Sequence, residues 1–134
     1  MTSPDQAPQI RKVLMVDDEP DIRRVGQMSL ELVGHLQVVL AGGGEEAVDV
    51  ATREQPDVIL LDVMMPRLDG PATLDLLRAS PATAGIPVIF MTAKVQKHEV
   101  EAYLARGAKG VIFKPFDPMT LSQEIGRIAG GGRS

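Results

Sequence analysis

Five short apolar runs, separated by longer segments with helical spacing, constrain the fold of this chain more than any other feature. The runs span residues 13–16, 38–41, 58–61, 88–91 and 111–113. They are apolar at nearly every position, which is typical of strands buried on both faces of a parallel sheet. The alternation of strand and helix predicts a doubly wound α/β fold with five parallel strands and five helices.

The segments between the runs are each expected to bury one apolar stripe against the sheet. Helix ends are indicated by Gly34 and Gly107, and a helix start by Asp117 as N-cap with Pro118 at the first helical position. The expected stripes are Ile22, Val25, Ser29 and Leu32 in the first helix, and Leu121, Ile125 and Ile128 in the last.

A length of 134 residues suits one compact domain. Residues 1–9 lack apolar periodicity and are interpreted as a flexible leader, residues 10–129 as the domain, and residues 130–134 as a flexible tail. The glycine-rich tail fits a chain end or the start of a linker, so a single-domain protein and a piece of a longer one both remain open.

Composition argues against several classes of function. The net charge is −4 with scattered Lys and Arg, which disfavours direct nucleic acid binding. The absence of cysteine rules out disulfides and thiolate metal sites and fits a reducing compartment, so a cytoplasmic location is expected. No apolar stretch approaches the ~20 residues that span a bilayer, and no membrane association is expected.

Polar residues follow four of the predicted strands, at the edge where doubly wound sheets bind ligands. Three carboxylates, a hydroxyl and an ammonium should meet there. Carboxylates crowded in a partly desolvated crevice either raise their pKa values or recruit a cation, and an all-oxygen set favours Mg²⁺ (or Mn²⁺). The polar residues at this edge are Asp17, Asp18, Asp62, Thr92 and Lys114, and Ala93 follows Thr92 with a backbone N–H.

Asp62 ends the most apolar run, and its place on rigid backbone suits a nucleophile. A carboxylate can attack a phosphoryl group if a metal and Lys114 neutralise the oxygens, while the Thr92 hydroxyl and the Ala93 N–H donate to the phosphoryl group. Each residue also has an ordinary interpretation when taken alone: acidic turns for Asp17 and Asp18, a helix cap for Asp62, a surface lysine, or a β-branched strand end.

Taken together, five motifs resemble the receiver domain of two-component response regulators, in a form similar to single-domain chemotaxis regulators. They are Val-Asp-Asp-Glu-Pro at residues 16–20, Leu-Leu-Asp-Val-Met-Met-Pro at 60–66, Asp69-Gly70, Met91-Thr92-Ala93 and Lys114-Pro115-Phe116. The resemblance covers residues 12–128. It implies a flavodoxin-like sheet with strand order 2-1-3-4-5.

The resemblance also implies a role for each site residue. Asp62 would be the phosphoacceptor and a direct Mg²⁺ ligand together with Asp18, while Asp17 would act through a metal-bound water. The backbone carbonyl of Met64 would complete the metal site. Lys114 would pair with the phosphoryl group beside a cis bond to Pro115, and Thr92 would be the switch hydroxyl.

Implied partners are a sensor histidine kinase or a histidine phosphotransfer protein as phosphodonor, and a downstream protein that reads the changed surface. A phosphorylation-dependent homodimer is left open. The domain would catalyse only its own phosphorylation and dephosphorylation. One position departs from the family pattern, because Val111 stands where Tyr or Phe is common; Phe113 is not assumed to replace it, and Tyr103 on the preceding helix is an alternative marker of that surface.

Two alternative functions, a phosphohydrolase and an inactive scaffold, are less favoured by these residues. Aspartyl-phosphate phosphohydrolases carry a second acid two residues beyond the nucleophile, but Met64 holds that position here. A scaffold that kept the fold and lost the chemistry would not be expected to retain all of the strand-end residues.

Overall fold

A computed structural model describes residues 9–93 and 96–130. Five parallel strands form one sheet in the order β2-β1-β3-β4-β5. They are β1 (Lys12–Val16), β2 (Gln37–Ala41), β3 (Val58–Asp62), β4 (Val88–Thr92) and β5 (Gly110–Phe113). Each predicted strand lies within an observed one, and the predicted strand order is confirmed. The expected leader and tail lie outside the described residues, except for Gln9 and Gly130.

Five helices connect and flank the strands, as predicted. They are α1 (Pro20–Met28), α2 (Gly44–Glu54), α3 (Gly70–Ala79), α4 (Lys97–Ala105) and α5 (Leu121–Ile125). The first and last continue into wider π-helical turns, Ser29–Val33 and Gly126–Gly130. Among the described residues, no helix combines the length and the apolar character needed to cross a membrane.

The core has two layers, one on each face of the sheet. Helices α2 and α3 supply Val50 and Leu77 to the first layer, and α5 supplies Leu121 and Ile125 to the second. Every position of β3 and β4 is buried, because both strands lie inside the sheet and are covered on both faces. Asp62 at the end of β3 and Thr92 at the end of β4 are therefore held by strands packed on both faces.

The stripe predicted for the first helix is partly wrong. Val25 and Leu32 are 44% and 69% exposed, whereas the predicted Ser29 is buried, together with Gly26 and Leu30, which were not predicted. A Cβ on Gly26 would lie 2.2 Å from the sulfur of Met15, so the end of the Met15 side chain occupies the space of a side chain at the centre of the buried face of α1. A pattern built on apolar side chains cannot register a contact made by glycine. In the last helix the predicted stripe packs as expected.

The predicted start of the last helix is also displaced. Its α-helix begins at Leu121 rather than at Pro118, because the Asp117 carboxylate accepts the N–H of Met119 at 2.9 Å and closes a separate turn first. The two predicted glycine stops are confirmed. Gly34 follows the helical turn that ends at Val33, and Gly107 follows α4 with a φ of 117° that favours glycine.

Candidate functional site

The carboxyl edge of the sheet carries the predicted site residues. Asp17 follows β1, Asp62 ends β3, Thr92 ends β4 and Lys114 follows β5. Parallel strands all end at the same edge, and the register pairs Asp62 of β3 with Met91 of β4. Residues that are far apart in the chain are thus placed side by side by the topology alone.

Three of these residues form a carboxylate cluster. Asp17, Asp18 and Asp62 each offer a carboxylate oxygen within 4.8 Å of the others. Asp17 is 0% and Asp62 3% exposed, whereas Asp18 is half-buried. Negative charges this close, with two of them out of water, destabilise one another unless a cation is nearby.

Asp17 is held by its own turn. Its Oδ1 accepts the backbone N–H of Glu19 at 2.9 Å, and its own N–H donates to the carbonyl of Ala41 at 3.2 Å. Its Oδ2 lies 3.0 Å from Nζ of Lys114, an ion-pair distance at angles that do not make a hydrogen bond. This buried oxygen therefore keeps capacity to bind a further positive group.

The carboxylate of Asp62 points toward the same lysine. Its Oδ1 lies 3.2 Å from Nζ of Lys114 and 3.4 Å from the N–H of Met64. Burial, followed by the negative charge of Asp17, raises the pKa of Asp62 to about 6, although Lys114 and the Met64 N–H act in the opposite direction. Without a metal, Asp62 binds protons at unusually high pH for an aspartate.

Lys114 spans the site. Burial lowers the pKa of its ammonium, but the Asp17 and Asp62 carboxylates more than offset this, so the pKa is raised and the side chain stays charged. Its backbone N–H donates to the carbonyl of Thr92 at 2.9 Å. The bond between Lys114 and Pro115 is cis, as expected from the resemblance.

The remaining predicted residues lie around the cluster. The Thr92 side chain is buried, while Ala93 is exposed and borders an apolar cavity of about 360 Å³ beside Lys114 and Phe116. The Met64 side chain is exposed and its N–H faces Asp62. A role for the Met64 carbonyl stays a prediction.

The donor set fits a hard divalent cation. Among the described residues, the clustered ligands are three carboxylates, two of them face the Lys114 ammonium, and Asp17 Oδ2 is a buried oxygen without a hydrogen bond. Mg²⁺ is typically held in proteins by one or two carboxylates together with water and phosphate oxygens.

One contact of the site was not predicted from sequence. Nη1 of Arg23, on α1, donates to the backbone carbonyl of Asp17 at 2.6 Å. An arginine near the start of a helix is ordinary in sequence, and its contact with Asp17 depends on a rotamer that no sequence pattern reports. The nearest available signal was its place in the first turns of the helix that follows the acidic pair.

Comparison with known proteins identifies the family. The model of the response regulator receiver domain matches residues 13–126. The chain belongs to this family. The family predicted from the motifs is therefore confirmed, and the chain is a receiver domain.

Individual relatives agree with this assignment. The receiver domain is 38% identical over 117 residues to "Probable transcriptional regulator ycf27" of Porphyridium aerugineum, covering 87% of this chain and 47% of the relative. It is 37% identical over 118 residues to the alkaline phosphatase synthesis transcriptional regulatory protein PhoP of Bacillus subtilis (strain 168), covering 88% and 48%. The chain thus spans about half the length of these curated relatives.

A solved structure supports the fold. Chemotaxis protein CheY4 of Vibrio cholerae matches with a TM-score of 0.82 and 32% identity, over 90% of this chain and 99% of that one. The flavodoxin-like architecture expected from the resemblance is confirmed by this likeness and by the observed strand order.

The departure at Val111 has a structural counterpart in this receiver domain. Val111 is half-buried and packs on the layer that contains Phe90, whereas Phe113 is exposed. Tyr103 of α4 packs edge-on against Phe90, with ring centroids 5.1 Å apart. Tyr103 of α4 and Val111 of β5 thus pack against the same core layer, and the ring contact to Phe90 comes from α4.

Proposed function

We propose that this receiver domain accepts a phosphoryl group on Asp62 from a phosphohistidine of a sensor histidine kinase or histidine phosphotransfer protein. The observation that carries the proposal is the placement of Asp62: a buried carboxylate at a strand end, 3.2 Å from the Lys114 ammonium, within a cluster of three carboxylates. Family membership supports it, since receiver domains serve two-component signalling.

The metal site would consist of Asp18 and Asp62 as direct ligands, Asp17 through a water molecule, and the Met64 backbone carbonyl. Bound Mg²⁺ (or Mn²⁺) would neutralise charge on the phosphoryl oxygens as the donor is attacked. The buried Asp17 oxygen supports this assignment, because its negative charge lies out of water, 3.0 Å from the Lys114 ammonium, and a cation would add to its neutralisation.

In the transfer step, a carboxylate oxygen of Asp62 attacks phosphorus while the bond from phosphorus to the imidazole nitrogen breaks. The nitrogen keeps the electron pair of that bond, and the new P–O bond makes an acyl phosphate. Lys114 supplies a positive charge next to the attacking group, and its ion pairs with Asp17 and Asp62 place it there beforehand.

The switch would act through β4 and β5. The Thr92 hydroxyl and the Ala93 N–H would donate to the phosphoryl oxygens, drawing the end of β4 toward Asp62. A downstream protein would bind the altered surface formed by α4, β5 and α5, and a phosphorylation-dependent homodimer would use the same surface.

A true phosphohydrolase is the less favoured alternative. Such an enzyme needs an acid two residues beyond the nucleophile to protonate the leaving group, and that position is the exposed Met64. We therefore propose that the domain catalyses only its own phosphorylation and dephosphorylation.

The test is intact-protein mass spectrometry after incubation with acetyl phosphate and Mg²⁺. We expect one labile addition of about 80 Da, corresponding to a single phosphoryl group. Asp62→Asn and a wild-type sample containing EDTA should both stay at the unmodified mass.

A stable addition that persists in Asp62→Asn would place the modification elsewhere and contradict the assignment. If acetyl phosphate gives no addition, the same measurement is repeated with a phosphorylated histidine phosphotransfer protein. Absence of any addition with both donors would contradict the proposed function.

A further inference from the structure

Arg23 makes a contact at the site that neither the strand-end pattern nor the family motifs explain. Its Nη1 lies 2.6 Å from the backbone carbonyl oxygen of Asp17. A hydrogen bond from a charged donor is shorter and stronger than one between neutral groups. The half-buried guanidinium is thus firmly attached to the main chain of the acidic turn.

The carbonyl of Asp17 belongs to the peptide unit that joins Asp17 to Asp18. A peptide unit is planar, so holding its oxygen restrains the orientation of the unit and with it the positions of both flanking α-carbons. The Asp17 side of the turn is already held by the N–H of Glu19 and the carbonyl of Ala41. Arg23 therefore has its largest effect on the half-buried Asp18, whose carboxylate makes no hydrogen bond or ion pair within residues 9–93 and 96–130.

The rotamer of Arg23 is itself confined. A Cβ built on Gly42 would lie 3.3 Å from Nη1, so the guanidinium lies directly against the backbone of the loop after β2. Glu46 closes that loop by accepting the N–H of Gly42 at 2.7 Å. The arginine is packed between the acidic turn and a braced loop, which favours a single orientation.

We infer that Arg23 is a positioning residue for the divalent cation site: it holds the Asp17–Asp18 peptide so that both carboxylates face Asp62. This inference rests on the proposed Mg²⁺ site. Arg23 touches neither the cation nor the phosphoryl group in this scheme and acts only through the main chain of the acidic turn.

Charge and positioning have opposite consequences for metal affinity. A guanidinium near a cation site repels the cation, so its removal should tighten binding if charge alone matters. If Arg23 positions the ligands, its removal should weaken binding, by about ten-fold or more as for other residues that orient metal ligands. Whether metal affinity rises or falls when Arg23 is replaced therefore distinguishes a charge effect from a positioning effect.

The experiment compares Arg23→Met, Arg23→Lys and Arg24→Met with wild type. Arg24 is the exposed neighbour on α1, and Arg24→Met removes the same charge from the same helix. Free Mn²⁺ is counted by electron paramagnetic resonance during titration, and Mg²⁺ affinity is measured by competition. We expect Arg23→Met to weaken Mn²⁺ and Mg²⁺ affinity by about ten-fold or more. Arg23→Lys should be intermediate, and Arg24→Met should be unchanged or slightly tighter.

The spectrum of bound Mn²⁺ distinguishes positioning from a loss of folding. At saturating protein, Arg23→Met should change the zero-field splitting of bound Mn²⁺, because the ligand geometry changes, and Arg24→Met should not. Thermal unfolding in EDTA checks that each variant is folded; if Arg23→Met is not, Arg23→Lys decides by the same criteria.

Unchanged or tighter binding in the folded Arg23 variants, with an unchanged spectrum, would overturn the inference and leave the proposed function standing. A wild-type protein that binds neither Mn²⁺ nor Mg²⁺ would overturn both.

Discussion

At the scale of single residues, Asp62 should control the pH response of the metal-free site. Its pKa is raised from 3.8 to about 6, mainly by burial and then by Asp17. Between these values the folded protein binds a proton that the unfolded chain does not, so the free energy of unfolding falls as pH rises through this window. Above the pKa that Asp62 has in the folded protein, the full destabilisation by its buried negative charge is present.

We therefore expect Asp62→Asn to be more stable than wild type in EDTA at pH 8, by at most about 3 kcal/mol. The advantage should shrink as the pH falls toward 4, where the wild-type carboxyl is protonated in the folded state. Urea unfolding followed by circular dichroism at several pH values measures this. A difference that does not vary with pH would show that the raised pKa is not its cause.

Residue identities at the site could be predicted because each terminates a strand or directly follows one. The sequence placed Asp17, Asp62 and Lys114 at the same edge, and the structure brings them into contact. It could not tell that Asp17 is buried and Asp18 only half-buried, since that depends on how the turn sits against the loop after β2. The Arg23 contact was missed for the same reason.

At the scale of secondary-structure elements, the start of α3 is fitted against the end of β3. A Cβ on Gly70 would lie 2.6 Å from the carbonyl oxygen of Asp62 and 2.8 Å from the α-carbon of Val63. Both are backbone atoms that cannot rotate away. Only glycine allows the helix to begin this close to the strand.

We expect Gly70→Ala to lower the free energy of unfolding by about 1–3 kcal/mol, the usual cost of overpacking. The matched control is Gly126→Ala, because that glycine has helical dihedrals and open space around its Cβ position. The control should be neutral or gain up to about 1 kcal/mol from its helix propensity. Equal urea midpoints for the two variants would contradict the close fit described here.

The presence and the type of each strand and helix could be predicted from the periodicity of apolar residues, but two details of the helices could not. The buried face of α1 is centred on Gly26, and a side-chain pattern assigns no burial to glycine. The start of α5 was placed a turn too early, because Asp117 can cap either a helix or a short turn and the choice depends on the packing of the following residues. Both errors concern local contacts that tertiary structure decides.

At the scale of the whole molecule, the two core layers share one sheet, so metal binding at its edge should stabilise the entire domain. A ligand present at 100 times its dissociation constant adds about 2.7 kcal/mol to the free energy of unfolding. We expect this increase with Mg²⁺ for wild type and a much smaller one for Asp17→Asn. Thermal unfolding with and without Mg²⁺ tests it, and an equal increase in both proteins would locate the binding elsewhere.

The topology could be predicted in full because few arrangements satisfy five doubly buried parallel strands with right-handed crossovers. The family resemblance then selected the strand order, which periodicity alone leaves undetermined. The burial of apolar helix stripes on both faces of the sheet was predictable, but the individual side-chain contacts were not.

The position of Lys114 has a consequence for how the chain is made. Its ammonium reaches past β4 to Asp62 and Asp17, so the site joins the last strand in synthesis to the first. A nascent chain that has exposed β1 to β4 already carries the acidic residues, yet it lacks the Lys114 ammonium until β5 emerges and docks. The carboxylates at this edge therefore gain their ion pairs with Lys114 only when the sheet is complete.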